Sequence, residues 1–167
     1  MAYTLTLGVK LILAMVGMAQ ADDVIVGRPD GLGVGLVLGS PTGISLVKRE
    51  RDELWQAAAG WNAVRDALHL TVDRLLTISE VKNEATPNTT WPLYVGAGLS
   101  VRLGGDIGGR FDSDDNDASL GIRLPAGITM LPRDTRIDAF FELVPVMSIY
   151  PATDFDLDAG LGLRIYL

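Results

Sequence analysis

The chain has 167 residues, a formal net charge of −7 and no cysteine. This length suffices for one domain with a sizeable core. The lack of cysteine excludes disulfides, thiolate metal sites and cysteine nucleophiles. The acidic balance argues against an electrostatic footprint for nucleic acid. We therefore expect a single domain with no nucleic-acid partner.

An apolar stretch occupies residues 5–21 and ends in Ala19, Gln20 and Ala21, just before two aspartates. This layout predicts a secretory signal peptide at residues 1–21, followed by one domain at residues 22–167. A retained membrane anchor is the alternative, but the uninterrupted apolar part is shorter than the ~20 residues that a spanning helix needs. We expect an exported protein that is not a helical membrane protein.

Apolar and polar residues alternate with a period of two in several segments, which is typical of strands whose two faces meet different surroundings. The pattern is clearest in residues 155–167, where every second residue is apolar. Residues 93–103, 119–130 and 137–147 repeat it, although Val144 and Val146 blur the last of these. These segments predict four strands.

The preceding part of the chain is compatible with four more strands. Residues 31–38 alternate, the stretch 39–43 supplies a turn, and residues 44–49 return as a second strand. Residues 54–62 and 67–78 are the candidates for strands three and four, with the alternation slipping after Asp73. A helix over residues 52–76 is the competing interpretation, because its alanine and leucine content also suits a helix.

The fold class predicted is all-β, an eight-stranded antiparallel up-and-down transmembrane β-barrel. Bacterial outer-membrane barrels begin at eight strands and carry apolar residues outside and polar residues in the lumen. The connections are expected at residues 39–42, 50–53, 63–66, 79–91, 104–117, 132–135 and 151–154.

The polar face is rich in glycine, which an exposed strand face does not need but a narrow eight-stranded lumen does. The same face carries charged residues of both signs that could pair across the lumen. The lumen network is predicted to contain Arg102, Arg123, Asp138, Glu142, Asp156, Asp158 and Arg164. A plugged lumen is preferred over a gated pore.

Four stretches resemble a known group of proteins. They are GLGVGLVLGSPTGIS at 31–45, PLYVGAG at 92–98, RLPAG at 123–127 and ELVPV at 142–146. They are similar to short exported bacterial proteins regarded as small outer-membrane barrels of the OmpA/OmpX type. The resemblance implies a barrel fold in the outer membrane, and it supplies no catalytic residues.

Candidate chemistry elsewhere is weak. The acidic run 112–117 fails the EF-hand template, because Asp117 stands where glycine is needed and Arg123 where the bidentate glutamate should be. The glycine-rich opening lacks the third glycine of a dinucleotide-binding motif, with Leu36 and Leu38 where it should fall. His69 is the single histidine, and no motif ties a serine to it. No metal, cofactor or catalytic residue is expected.

The sequence thus favours a structural or interaction barrel without catalysis. Its expected partners are outer-membrane lipid and a surface partner reached through loop 104–117, with the chain a monomer. The alternative is a soluble or membrane barrel that takes a small apolar or lipid ligand, lipocalin-like or lipid-hydrolase-like, with His69 as the hydrolase candidate.

Overall fold

The computed structural model describes residues 30–62, 67–82, 84–104, 118–133 and 135–167. The predicted signal peptide and nearly all of loop 104–117 lie outside the described residues. The strands are β1 (Gly31–Gly39), β2 (Thr42–Glu50), β3 (Glu53–Asn62), β4 (Ala67–Lys82), β5 (Thr89–Leu103), β6 (Ala118–Arg123), β7 (Ala126–Pro132), β8 (Ile137–Tyr150) and β9 (Asp154–Tyr166). No helix among the described residues is long and apolar enough to cross a membrane.

The strands form one antiparallel sheet that closes into a ring. Strands that follow one another along the chain pair, except β6 with β7, and β1 pairs with β9, so the first and last strands complete the ring. Both β6 and β7 lie between β5 and β8. They therefore share one position, and the ring has eight positions. The prediction of an all-β antiparallel fold is confirmed.

The interruption between β6 and β7 falls at Leu124 and Pro125, because proline has no N–H to donate to a neighbouring strand. The register nevertheless continues through it. The Leu124 N–H donates to the Pro145 carbonyl at 3.0 Å, and the Gly96 N–H donates to the Pro125 carbonyl at 2.8 Å. The ring stays closed across the proline.

The described residues of 52–76 form β3 and β4, so the prediction of strands there is confirmed and the competing interpretation of a helix is wrong. Two details of the sequence prediction are wrong. The connection predicted at 79–91 is shorter, because the β4–β5 hairpin pairs as far as Lys82 with Thr90. The alternation shifts at a bulge between Thr77 and Ser79 rather than after Asp73. A leucine at an inward position, Leu75, conceals the true phase in the sequence.

The ring has two ends. The terminal end carries the start of β1 and the end of β9, together with the β2–β3, β4–β5 and β7–β8 connections. The far end carries the ends of β1, β3, β5 and β8 and the starts of β2, β4, β6 and β9. Leu103 and Ala118, the strand residues that flank loop 104–117, therefore lie at the far end.

The two faces of the sheet are inverted relative to a water-soluble protein. On β9, Leu161 and Leu163 point outward and are 55% and 60% exposed, whereas Arg164 points inward and is 1% exposed. The same alternation runs around the ring, so the large apolar side chains lie outside and most buried polar and charged side chains lie inside. An exterior of this kind is poorly suited to water.

Inward glycines make room for large side chains inside the ring. A Cβ at Gly162 would meet the Phe140 ring, and a Cβ at Gly127 would lie 2.5 Å from the Tyr94 hydroxyl oxygen. Gly98 similarly leaves space for the Asp73 carboxylate. These three glycines of the inner face are thus each matched to a larger side chain of another strand.

Candidate functional site

The structure brings all seven residues of the predicted lumen network to the inside of the ring. Six of them are almost completely buried, and the Asp156 side chain, near the far end, is 22% exposed. They come from four strands, β5, β6, β8 and β9. Alternation along each strand is what turns their side chains to the same interior.

At the terminal end the network begins with Arg49, Tyr166 and Asp138. The Arg49 guanidinium donates to the Tyr166 hydroxyl at 3.0 and 3.2 Å and to the Asp138 carboxylate at 3.3 Å. The Tyr166 hydroxyl itself donates to Asp138 at 2.6 Å. These contacts join β2, β8 and β9 across the interior.

The next group is centred on Arg164. Its guanidinium lies 3.8 Å from the Asp138 carboxylate, donates to the Gln56 side-chain carbonyl, and lies over the Phe140 ring at 3.6 Å from the centroid. The Gln56 amide in turn donates to Glu142 at 3.3 Å. A planar cation with five donors is suited to bridging several partners in this way.

Glu142 and Arg123 meet in the middle of the interior. Glu142 accepts a hydrogen bond from the Tyr94 hydroxyl at 3.2 Å and lies 3.9 Å from the Arg123 guanidinium. Arg123 donates to the Asp73 carboxylate at 3.0 Å and lies 3.9 Å from Asp158. Arg123 and Asp73 are 1% and 0% exposed, so this pair is fully removed from solvent.

Towards the far end the network finishes at Arg102. Its two terminal nitrogens donate to Asp158 at 3.0 Å and to Asp156 at 3.2 Å. The ion pairs and hydrogen bonds therefore run without a break from Tyr166 at one end to Asp156 at the other. Guanidinium groups do not release protons in proteins, so the arginines keep their charge and hold the carboxylates across the interior.

Sequence reasoning missed five members of this network: Arg49, Gln56, Asp73, Tyr94 and Tyr166. Their positions in the alternation were the available signal. Arg49 follows Ser45 and Val47 on one face of β2, and Tyr166 follows Arg164 on β9. Alternation gives the face, but it does not reveal which residue on another strand stands opposite.

The hydrolase candidate His69 lies inside the same ring, together with three serines. His69 is 0% exposed, and Ser45, Ser100 and Ser119 also point inward and are buried. In the register of the sheet, His69 stands opposite Gly60 and Arg102. Within the described ranges, no cluster of metal-ligating side chains occurs; the acidic run 112–117 lies outside them.

A second group of charges lies on the outer face of β2, β3 and β4 near the terminal end. This outer charged cluster consists of Lys48, Glu50, Glu53, Trp55 and Arg74. Lys48 contacts Glu50 at 2.6 Å and Arg74 contacts Glu53 at 2.5 Å. The hydrogen bond from Lys48 lowers the pKa of Glu50, the last residue of β2. Elsewhere, the outward positions of the described strands are predominantly apolar.

An open depression of about 830 Å³ lies beside this cluster at the terminal end. Lys48, Glu50, Glu53 and Leu76 contribute to its wall. The remaining charged residues of its lining are Asp30, Arg49, Arg51 and Asp52. Most residues of this lining are charged, whereas sites for apolar ligands are lined mainly by hydrophobic side chains.

Comparison of the chain with protein-family models, with curated proteins and with solved structures finds no match in any of the three.

Proposed function

We propose that this chain is a small outer-membrane β-barrel of the OmpA/OmpX type. In this proposal it is exported by a signal peptide at residues 1–21 and acts as a membrane-embedded structural or interaction module without catalysis. The observation that carries the proposal is the inversion of the two faces. Apolar side chains cover the outside of a closed ring, and paired charges fill the inside, as lipid-embedded barrels require.

The dimensions of the apolar surface support this assignment. On β9 the outward positions from Phe155 to Leu167 are all apolar. At ~3.3 Å per residue and a tilt of ~40°, this segment covers roughly 30 Å along the axis, enough for the ~25 Å apolar band of such barrels. Aromatic side chains flank it, Trp55 near the terminal end, and Trp61 and Phe155 near the far end.

The interior supports a plugged barrel rather than a pore. Four buried arginines and the carboxylates that they contact cross the interior from several sides. Paired charges with additional hydrogen bonds are expensive to separate in a confined, poorly hydrated space. We therefore expect no conduction of ions or dyes.

The interior also argues against the alternative of a ligand-binding or hydrolytic barrel. A small apolar ligand would need an apolar cavity, but the centre of this ring holds guanidinium and carboxylate groups. His69 and the inward serines are buried among them rather than at the surface that would meet lipid. No observation favours the alternative, so the non-catalytic module is retained, as a monomer that meets partners through loop 104–117.

The test is expression of the full chain in a Gram-negative host, followed by membrane fractionation and gel electrophoresis with and without heating. We expect the chain in the outer-membrane fraction, with a folded form that changes mobility only after boiling. Recovery as a soluble periplasmic protein would overturn the proposal. Reconstituted vesicles should also retain a small trapped dye, with detergent lysis as the positive control; leakage would remove the plugged interior from the proposal.

A further inference from the structure

The outer charged cluster is arranged in rows across three strands. The register places Leu46, Ala57 and Val72 side by side in the first row. The next row towards the terminal end consists of Lys48, Trp55 and Arg74. The last row consists of Glu50, Glu53 and Leu76. All nine positions are on the outer face. Along the ring axis towards the terminal end, the outer surface therefore changes from apolar to cationic and then to anionic.

This order matches the chemistry of one class of lipid. In a phospholipid with an ethanolamine headgroup, the acyl chains are followed by a phosphate and then by a primary ammonium. Lysine and arginine bind phosphate oxygens, and a carboxylate accepts hydrogen bonds from an ammonium. The cationic row would meet the phosphate, and the anionic row would meet the ammonium. Trp55 lies between the cations, at the depth where indole rings favour the membrane interface.

The cluster is accessible to such a molecule. The side chains of Lys48 and Arg74 are 63% and 52% exposed, and those of Glu50 and Glu53 are 69% and 45% exposed. Their mutual ion pairs are those of an exposed surface, which contribute little to stability and can exchange partners. The open depression beside them gives a headgroup room.

The charge balance selects among headgroups. Lys48 and Arg74 are matched by Glu50 and Glu53, so the cluster has no net charge that would concentrate anionic lipid. The depression adds Asp30 and Asp52 against Arg49 and Arg51, so these charges balance as well. A choline headgroup carries no N–H and cannot donate to the carboxylates, whereas a primary ammonium has three donors.

We infer that the outer charged cluster is a binding site for the headgroup of a zwitterionic phospholipid with a primary ammonium. The inference rests on the proposed function, because only a ring embedded in lipid presents this surface to a bilayer. It goes beyond that function by naming a lipid class and the residues that recognise it.

The test measures lipid retention on the full chain refolded into vesicles that contain phosphatidylethanolamine, phosphatidylcholine and phosphatidylglycerol in equal amounts. After extraction into mild detergent, native mass spectrometry counts the lipids that stay bound. We expect phosphatidylethanolamine to exceed each of the others by about threefold, the modest size typical of exposed charge contacts.

Two double variants separate the roles of the rows. Glu50→Gln with Glu53→Gln should abolish the preference for phosphatidylethanolamine over phosphatidylcholine while lipid stays bound. Lys48→Gln with Arg74→Gln should lower retention of both. The matched control, Arg133→Gln with Arg136→Gln, removes two cations from the exposed β7–β8 connection at the same end and should leave the preference unchanged.

Equal retention of the three lipids by the wild type, or an unchanged preference after the two glutamate substitutions, would overturn the inference. Heat-modifiable mobility is measured on the same samples. If the wild-type ring inserts without a lipid preference, the inference fails and the proposed function stands. If the chain stays in the aqueous phase, both fail together.

Discussion

The Tyr166 hydroxyl donates a hydrogen bond to the Asp138 carboxylate at 2.6 Å while it accepts from Arg49. This contact fixes the last residue of β9 to β8 and to β2, beside the seam where β9 pairs with β1. All three side chains are nearly inaccessible to solvent. The hydroxyl thus serves as both donor and acceptor between two opposite charges.

Tyr166→Phe should reduce the free energy of unfolding by ~1–3 kcal/mol, because a buried carboxylate and a buried guanidinium each lose a hydrogen-bond partner. The measurement is denaturant unfolding of the refolded chain in vesicles. Tyr150→Phe is the matched control, since Tyr150 is 51% exposed at the far end. Equal stability of the two variants would contradict the role given to Tyr166.

The Arg123–Asp73 pair should behave as a buried unit. Arg123→Met leaves the Asp73 carboxylate without its closest cation and should cost ~3–5 kcal/mol, as is typical when one partner of a buried ion pair is removed. Combining it with Asp73→Asn should cost less than the sum of the two single substitutions. A double-mutant cycle of unfolding free energies measures the coupling, and additive costs would show that the pair is not a unit.

Gly162→Ala should destabilise the ring by ~1–3 kcal/mol, because the new methyl group would overlap the Phe140 ring. The control is Ala159→Val on the outer face of the same strand, where the added carbon points away from the packed interior and should cost little. If Gly162→Ala is tolerated as well as Ala159→Val, the inner face is less tightly packed than described.

The position of an outward charge along β9 should determine how much free energy of unfolding the charge costs. Leu161→Arg places a cation near the middle of the apolar band and should cost ~2–4 kcal/mol, whereas Leu167→Arg, at the terminal end, should cost only ~0–1 kcal/mol. Both leucines are outward and exposed in the ring. Unfolding from vesicles distinguishes the two, and a similar cost at both positions would argue against a bilayer around this surface.

The alternation of residues 155–167 and 93–103 was enough to predict strands and to sort their faces, because a period of two is local information. The pairing of charges was not predictable. Arg102 meets Asp156 and Asp158, and Arg123 meets Asp73, only because of the stagger between strands around the ring. That stagger depends on the closure of the whole sheet.

The inward position of some apolar residues was not predictable from the sequence either, because it too depends on contacts between strands. Val144 and Val146 blur the alternation of β8 in the sequence, yet both are buried at inward positions. Gly98 and Gly121 show why bulk is accepted inside, since glycine on one strand admits a large neighbour from another. Such compensation between strands cannot be recognised from the sequence of one strand alone.

The pairing of β1 with β9 has a consequence for the order in which the protein can assemble. The two strands that complete the ring lie at opposite ends of the described chain, so their contact spans nearly its full length. Contacts between distant residues form late, since the intervening loop must be closed first. A growing chain that still lacks Tyr166 therefore exposes an unpaired edge of β1. Until β9 pairs with β1, the fold of the chain does not itself protect this edge from aggregation.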